Sequence, residues 1–332
     1  MLGMPVTRTK FGQVDGEDVY KYTIENSNKT RISVLTYAAA WQNFEVYEDG
    51  EYHSLISHFD DLQSYIEMPF QVGKTVGRVA GRIGKARFMI NGKTYQLTPN
   101  NQTNLMHGGD DGIQTKNFIG SADGKHNSVS LALIVKSSDD GFPGNIDLLI
   151  TYSLSEDDEV SITYTAVSDA DTLFNPTCHV YFNLDEPSIM DETLQIASDS
   201  YLDVDDEKVP TGSLISVDKA FDFRKGQIIE NALCNLEKQN GKLEFDDTFV
   251  TYGDRVATLS SDKRVVDFYS DRNGLVIFTA NPTGVEVPGQ YSSVAMELQM
   301  LPDAINHTNF GNIILRKNQK TSYTNKYQYR KL

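Results

Sequence analysis

Cysteine is nearly absent from this chain. There are two in 332 residues, Cys178 and Cys234, in neither a metal-binding nor a redox spacing. A disulfide framework and a CxxC site are thereby excluded. Basic residues are scarce as well: 30 Lys and Arg stand against 46 Asp and Glu, a formal charge of −16. So acidic a chain is unsuited to nucleic acid or an anionic membrane surface, and no basic stripe offsets the charge. No run approaches the ~18 apolar residues of a transmembrane helix. The opening stretch MLGMPVTRTKFGQVDG lacks the apolar segment of a secretory signal. The expectation is a cytoplasmic protein with neither membrane nor nucleic acid as partner. GxSxG, HExxH and phosphate-loop motifs are also missing, which removes the common serine hydrolases, zinc proteases and nucleotide enzymes. DVDDE at 203–207 lacks the glycine and the spaced final glutamate of a calcium loop, so no metal is expected.

What is abundant is the short alternating segment. EDVYKYTIEN, RISVLTYAAAW, VSLALIV, IDLLITYSL, EVSITYTAVS, RVVDFYS, GLVIFTA, SVAMELQM, NIILRKN and TSYTNKYQYRKL all read as strands. RFMINGKTYQL reads as a hairpin around Asn91-Gly92, a type I′ pair. Only SHFDDLQSYIEM and GQIIENALCNLEKQ read as short helices. There is no fixed-period repeat and no low-complexity linker. The fold class is all-β: a large antiparallel β-sandwich with a few short helices, one domain over residues 1–332. Asp-Asp pairs at 60–61, 110–111, 139–140, 157–158, 205–206 and 246–247 read as solvated turn carboxylates.

Chemistry-bearing residues fall on this scaffold. In NPTCHVYFNL, Cys178, Val180, Phe182 and Leu184 alternate with Thr177, His179, Tyr181 and Asn183. This predicts a strand with one apolar and one hydrogen-bonding face, Cys178 being a core thiol. His179 reads either as a ligand-facing group or as one satisfied by Tyr181 or backbone. In VAMELQM, Ala295, Glu297 and Gln299 share a face. A carboxylate amid that apolar strand must be paired or wet; it is either a site residue or half of a cross-strand salt bridge. His107 precedes two glycines, in a bend that admits close backbone approach to a ligand or simply caps a turn. Arg82 lies in a Gly-rich stretch with Arg78 and Arg87, at spacings that make no phosphate loop. Asp246, in EFDDTFV, flanks aromatics. His53, His58 and His126 sit among polar residues and attract no role. A metal-free set of His, Glu, Asp and Arg suits proton transfer on a polar small molecule.

Taken together these segments resemble the aldose 1-epimerase (galactose mutarotase) family. NLMHGG is similar to the family's N-x-L-H-G-G, NPTCHVYFNL to its N-P-T-x-H-x-Y-F-N-L, and FDDTF to its D-H-x-F. TVGRVAGRI resembles the arginine segment ahead of them. MELQMLPDAIN and NIILRKNQKTSYTNKYQY resemble the glutamate strand and the closing strands. The order and spacing fit from about Lys10 to the end. Ile113, Phe118, Asp247 and Cys178 depart from the usual residues, at positions expected near the pocket wall.

The resemblance implies a β-supersandwich with a sugar bound in an open cleft on one sheet. It implies Glu297 as base at the C1 hydroxyl, His179 as acid at the ring oxygen, and His107 supporting that oxygen or sharing the acid role. Arg82 and Asp246 would hold ring hydroxyls. No cofactor is required. The implied activity is interconversion of α and β anomers of free galactose and glucose by an isomerase. A hexose 6-phosphate or maltose as substrate, a glycoside hydrolase using Glu297 and Asp246, and a non-catalytic sugar-binding protein are the alternatives. Monomer and homodimer are both compatible with the sequence.

Overall fold

The computed structural model describes residues 6–332. Among them, antiparallel sheet dominates, in a five-stranded, a nine-stranded and a six-stranded unit. The five-stranded sheet runs in chain order from Thr7–Val14 to Glu51–Ser54. The nine-stranded sheet has Ser128–Val135, Ile146–Leu154 and Glu159–Ser168 side by side. Next to these comes the final strand, Thr321–Lys331, and then Arg264–Ser270. The end of the chain is thus locked between two earlier strands. The six-stranded sheet orders Tyr181–Phe182, Ser293–Gln299, Gly274–Ala280, Asp246–Thr251, Ser198–Val204 and Pro210–Ser216.

Alternation decides which faces meet. Ile146, Leu148, Ile150, Tyr152 and Leu154 point inward from one strand, and Val160, Ile162, Tyr164 and Ala166 from the next. They pack with Ile24, Ile32 and Phe44 of the five-stranded sheet and with Phe249, Ile277, Met296 and Leu298 of the six-stranded one. Trp41, the only tryptophan, is fully buried near the middle. Its ring lies 5.0 Å from Tyr327, 5.4 Å from Phe44 and 6.1 Å from Phe182.

Most predicted elements stand where the alternation placed them. The Asn91-Gly92 hairpin joins Arg87–Ile90 to Lys93–Gln96, with φ of 51° and 77° at the two turn residues. Helices form at Leu62–Glu67 and Ile229–Asn240. The second buries Ile229, Ala232, Leu233 and Leu236, one helical stripe, and stops at Gly241 in the left-handed region.

Other predicted elements differ. RISVLTYAAAW is not one strand. It ends at Leu35, turns through Ala38 and Ala39 at φ 58° and 44°, and restarts at Trp41. That turn carries Tyr37 toward the cleft described below. NIILRKN contributes only Ile314–Leu315. NPTCHVYFNL is two short strands, Thr177–Cys178 and Tyr181–Phe182, and its hydrogen-bonding face is no open surface: Tyr181 is fully buried, and with His179 it lines a cleft. The break at His179 is where the backbone leaves Thr75–Val76 and joins Ser293–Gln299.

The aspartate pair 139–140 also departs from expectation. Asp140 is buried against Arg78, whose Nε and Nη2 donate to it at 2.7 and 2.8 Å. Arg78 is therefore a structural residue, not a ligand-facing one. Ile113, Phe118 and Cys178 lie in the core and do not form pocket wall. The Cys178 thiol donates to Gly73 O at 3.3 Å, while Cys234 is exposed.

Candidate active site

The six-stranded sheet shows its main-core face as Val294, Met296 and Leu298. The opposite face, carrying Glu297 and Gln299, forms part of a cleft of about 450 Å³. That volume falls within the ~300–1,000 Å³ typical of small-ligand sites. Glu297, His179, His107, Arg82 and Asp246 all line it. The chain brings them from five separate segments to one place.

His179 and Glu297 form the floor. His179 Nε2 lies 3.3 Å from Glu297 Oε1, with the two residues 6% and 3% exposed. The His179 backbone is fixed from both sides: its N–H donates to Lys74 O at 2.8 Å, and its carbonyl accepts from Gly73 N–H at 2.9 Å. Its ring lies over Tyr181, centroids 5.2 Å apart. Burial pushes the Glu297 carboxyl up to about 8, with the Asp246 charge adding and Arg82 opposing. Burial pulls the His179 imidazole down to about 4, against a weaker pull upward from Asp246. Both shifts favour neutral forms. Neighbouring carboxylates alone would keep His179 charged, but burial outweighs them. The proton the pair shares resides on the carboxyl, because dehydration outweighs the charges nearby.

His107 stands behind, its ring centroid 5.5 Å from that of His179. It sits at φ 52°, in the bend that HGG suggested. A Cβ on Gly108 would come within 2.1 Å of Gly77 O, so glycine alone fits there. Gly81 N–H donates to His107 Nδ1 at 3.2 Å. Burial above all, with the Arg82 cation adding to it, holds His107 well below the usual range. A neutral imidazole that accepts at Nδ1 carries its proton on Nε2. His107 is thus a neutral hydrogen-bond donor.

Arg82 is half-buried and its Nε donates to Asn101 Oδ1 at 3.1 Å. Asp246 is half-buried and paired with Lys208. Asp246 and Asp247 belong to the strand Asp246–Thr251, so this pair is no turn. Asp247 is buried and does line the cleft.

Tyr37, Gln71, Lys74, Asn101, Gln114 and Lys208, to which the sequence assigned no role, line the cleft too, as does Gln299 from the Glu297 face. Gln299 has both amide atoms buried without a protein partner. Its period-two spacing from Glu297 was the available signal. His53, His58 and His126 stay outside the cleft.

Residues 20–328 match the model of a protein family described as aldose 1-epimerase. The chain belongs to that family. It is 39% identical over 339 residues to the maltose epimerase of Levilactobacillus brevis, covering 98% of this chain and 99% of that one. It is 37% identical to an aldose 1-epimerase of Streptococcus thermophilus and 28% identical to human galactose mutarotase, each over 98% of this chain. Those alignments cover 99% and 98% of the two relatives. The structure of galactose 1-epimerase from Lactobacillus acidophilus superposes with a TM-score of 0.86 at 29% identity, covering 99% of both chains. The protein is an isomerase with aldose 1-epimerase activity, and its β-sandwich is that of the galactose mutarotases.

Proposed function

We propose that the protein interconverts the α and β anomers of maltose together with those of free glucose and galactose. The observation that carries the chemistry is the buried Glu297–His179 pair, 3.3 Å apart at the floor of an open cleft. The likeness to a maltose epimerase and the roominess of the cleft support the wider substrate.

Ring opening moves two protons. The C1 hydroxyl loses its proton, its oxygen becomes the aldehyde carbonyl, and the C1–O5 bond breaks as O5 is protonated. Rotation about C1–C2 and the reverse steps give the other anomer, so the pair returns to its starting state. Glu297 is the base at the hydroxyl and His179 the acid at the ring oxygen. The one proton of the pair must first cross from Glu297 to His179. A hydroxyl donating to the carboxylate and a ring oxygen accepting from the imidazolium favour that transfer. His107, donating from Nε2, steadies the ring oxygen. Arg82 and Asp246 hold ring hydroxyls, and Arg82→Ala is expected to raise KM severalfold with a smaller change in kcat, read from initial rates. Unfolding of Arg82→Ala would count against this role.

The pH dependence follows from the pair. Above about 8 Glu297 loses the only proton and no acid remains; below about 4 His179 gains a second and no base remains. On glucose, kcat/KM should hold a plateau between limbs near those values. A single limb centred near 6.5 would mean an ordinary exposed histidine governs the rate.

The direct test adds the purified protein to freshly dissolved α-maltose, α-D-glucose and α-D-galactose and follows optical rotation. A faster approach to the same final rotation establishes each substrate. Acceleration of glucose and galactose but not maltose would restrict the activity to free hexoses.

A further inference from the structure

One wall of the cleft takes no part in the chemistry above. Tyr37, Gln71, Lys74 and Gln114 form it. Lys74 is 3% exposed, yet its ammonium has no hydrogen bond and no carboxylate within ion-pair distance among the described residues. The Tyr37 ring lies 5.5 Å from its Nζ. Burial alone pulls this lysine down to about 8. The stem is buried while the ammonium faces the cleft, where a ligand or solvent must supply its hydrogen bonds.

Two unpaired acceptors share the wall. Gln114 is 5% exposed and its Nε2 donates to Gly109 O at 2.9 Å. That bond fixes the amide orientation and leaves a buried Oε1 without a partner. Gln71 Oε1 is likewise buried and unpaired. The wall is rigid. Lys74 N–H donates to Gln71 O at 3.0 Å, Lys74 O accepts from His179 N–H, and Thr75 N–H donates to Ala38 O at 3.0 Å. Its distance from the reacting pair is therefore set by backbone.

An ammonium only donates, and an amide oxygen only accepts. A ligand that satisfies both must accept and donate from neighbouring positions, as sugar hydroxyls do. A phosphate offers acceptors to Lys74 but sets its oxygens against those of Gln71 and Gln114. Apolar surface lies alongside in Ile66, Pro69 and Phe70, suited to the C–H face of a pyranose. A single pyranose at Glu297 and His179 leaves much of a cleft this large unfilled.

We propose that Lys74, Gln71 and Gln114 form a second sugar subsite, which holds the unreactive pyranose of a disaccharide and sets the preference for maltose over glucose. This rests on the isomerase reading of the Glu297–His179 site and adds to it.

The test compares initial anomerisation rates of maltose, glucose and glucose 6-phosphate for the wild type, Lys74→Met and Gln71→Gly. Methionine keeps the bulk and removes the charge. Gln71 sits at φ 54°, which glycine adopts freely, so this variant carries the test if Lys74→Met does not fold. In Lys74→Met the ratio of kcat/KM on maltose to that on glucose should fall about tenfold or more, through KM. In Gln71→Gly it should fall severalfold. Equal losses on both sugars would assign Lys74 to the reacting ring and overturn the subsite. So would an unchanged ratio in folded variants, or a wild type that turns over glucose but not maltose. A loss confined to glucose 6-phosphate would make the wall an anion site. A wild type that accelerates none of the three would overturn the isomerase reading itself, and the subsite with it.

Discussion

Glu297→Gln should lower kcat on glucose by about 10²–10⁴-fold, the usual worth of one positioned acid or base. Calorimetric Kd for the sugar should change little. Glutamine keeps the shape of the side chain and can still accept from, or donate to, a hydroxyl, but it cannot take the proton from C1–OH. A loss of binding as large as the loss of rate would make Glu297 a ligand-holding group and leave the base unidentified.

The same substitution should raise stability. At pH 7 a Glu297 carboxyl in the unfolded chain is ionised, while in the fold it is held protonated, its value raised from 4.5 to about 8. Folding must take up a proton. The penalty begins above about 4.5, grows with pH and levels off above about 8; at pH 7 it is about 3 kcal/mol. Glutamine needs no proton, so Glu297→Gln should melt a few degrees higher at pH 7 and lose that advantage near pH 4. A lower Tm at pH 7 would mean that Glu297 is a stabilising ion-pair partner of His179. The combination of lost turnover with gained stability is what a site strained for chemistry gives, and what a structural salt bridge does not.

How legible all this was in the sequence depends on the range of the cause. Strands such as Glu159–Ser168, Arg264–Ser270 and Gly274–Ala280 follow from period-two alternation, a local property, and stand where the sequence placed them. The turn at Ala38 and Ala39 was invisible, because alanine carries no turn signal. Long-range hydrogen bonds hold that conformation: Ala38 N–H donates to Lys116 O, Thr75 N–H to Ala38 O, and the Tyr152 hydroxyl to Ala39 O. Glu297 was legible as an anomaly, a carboxylate in an apolar strand, and resemblance to a family supplied its meaning. Lys74 was not. In GKTVGR it reads as an ordinary surface lysine. Its burial depends on a turn from residues 36–39, a bend at Gln71 and the His179 backbone, none adjacent to it in the pattern. Protonation is hidden for a similar reason: counting neighbouring charges would give a charged His179, whereas depth of burial decides it.

Asp140→Ala tests a second long-range cause, and the largest structural effect is expected there. Arg78 is 1% exposed, and the Asp140 side chain is fully buried. The guanidinium meets Asp140 with two parallel donors, and its Nη1 donates to Pro143 O, Gly144 O and Thr172 Oγ1. All three nitrogens of the charged group are thereby engaged. Removing the carboxylate leaves an uncompensated buried cation, at a cost of about 3–5 kcal/mol. At roughly 0.7 kcal/mol per degree for a chain of this length, Tm should fall by about 5 °C. Arg78→Met combined with Asp140→Leu, which removes both charges, should lose less than Asp140→Ala alone, because the pair's attraction and its desolvation nearly cancel. An Asp140→Ala protein with unchanged Tm would show that water reaches Arg78 and that the pair contributes nothing. The outcome also bears on the site. Arg78 lies four residues before Arg82, and between them Asn175 N–H donates to Arg78 O and Ala80 N–H to Asn175 O, both at 2.8 Å. The ion pair therefore anchors the segment from which Arg82 and, through Gly81, His107 reach the cleft, so Asp140→Ala should raise KM as well as lower Tm.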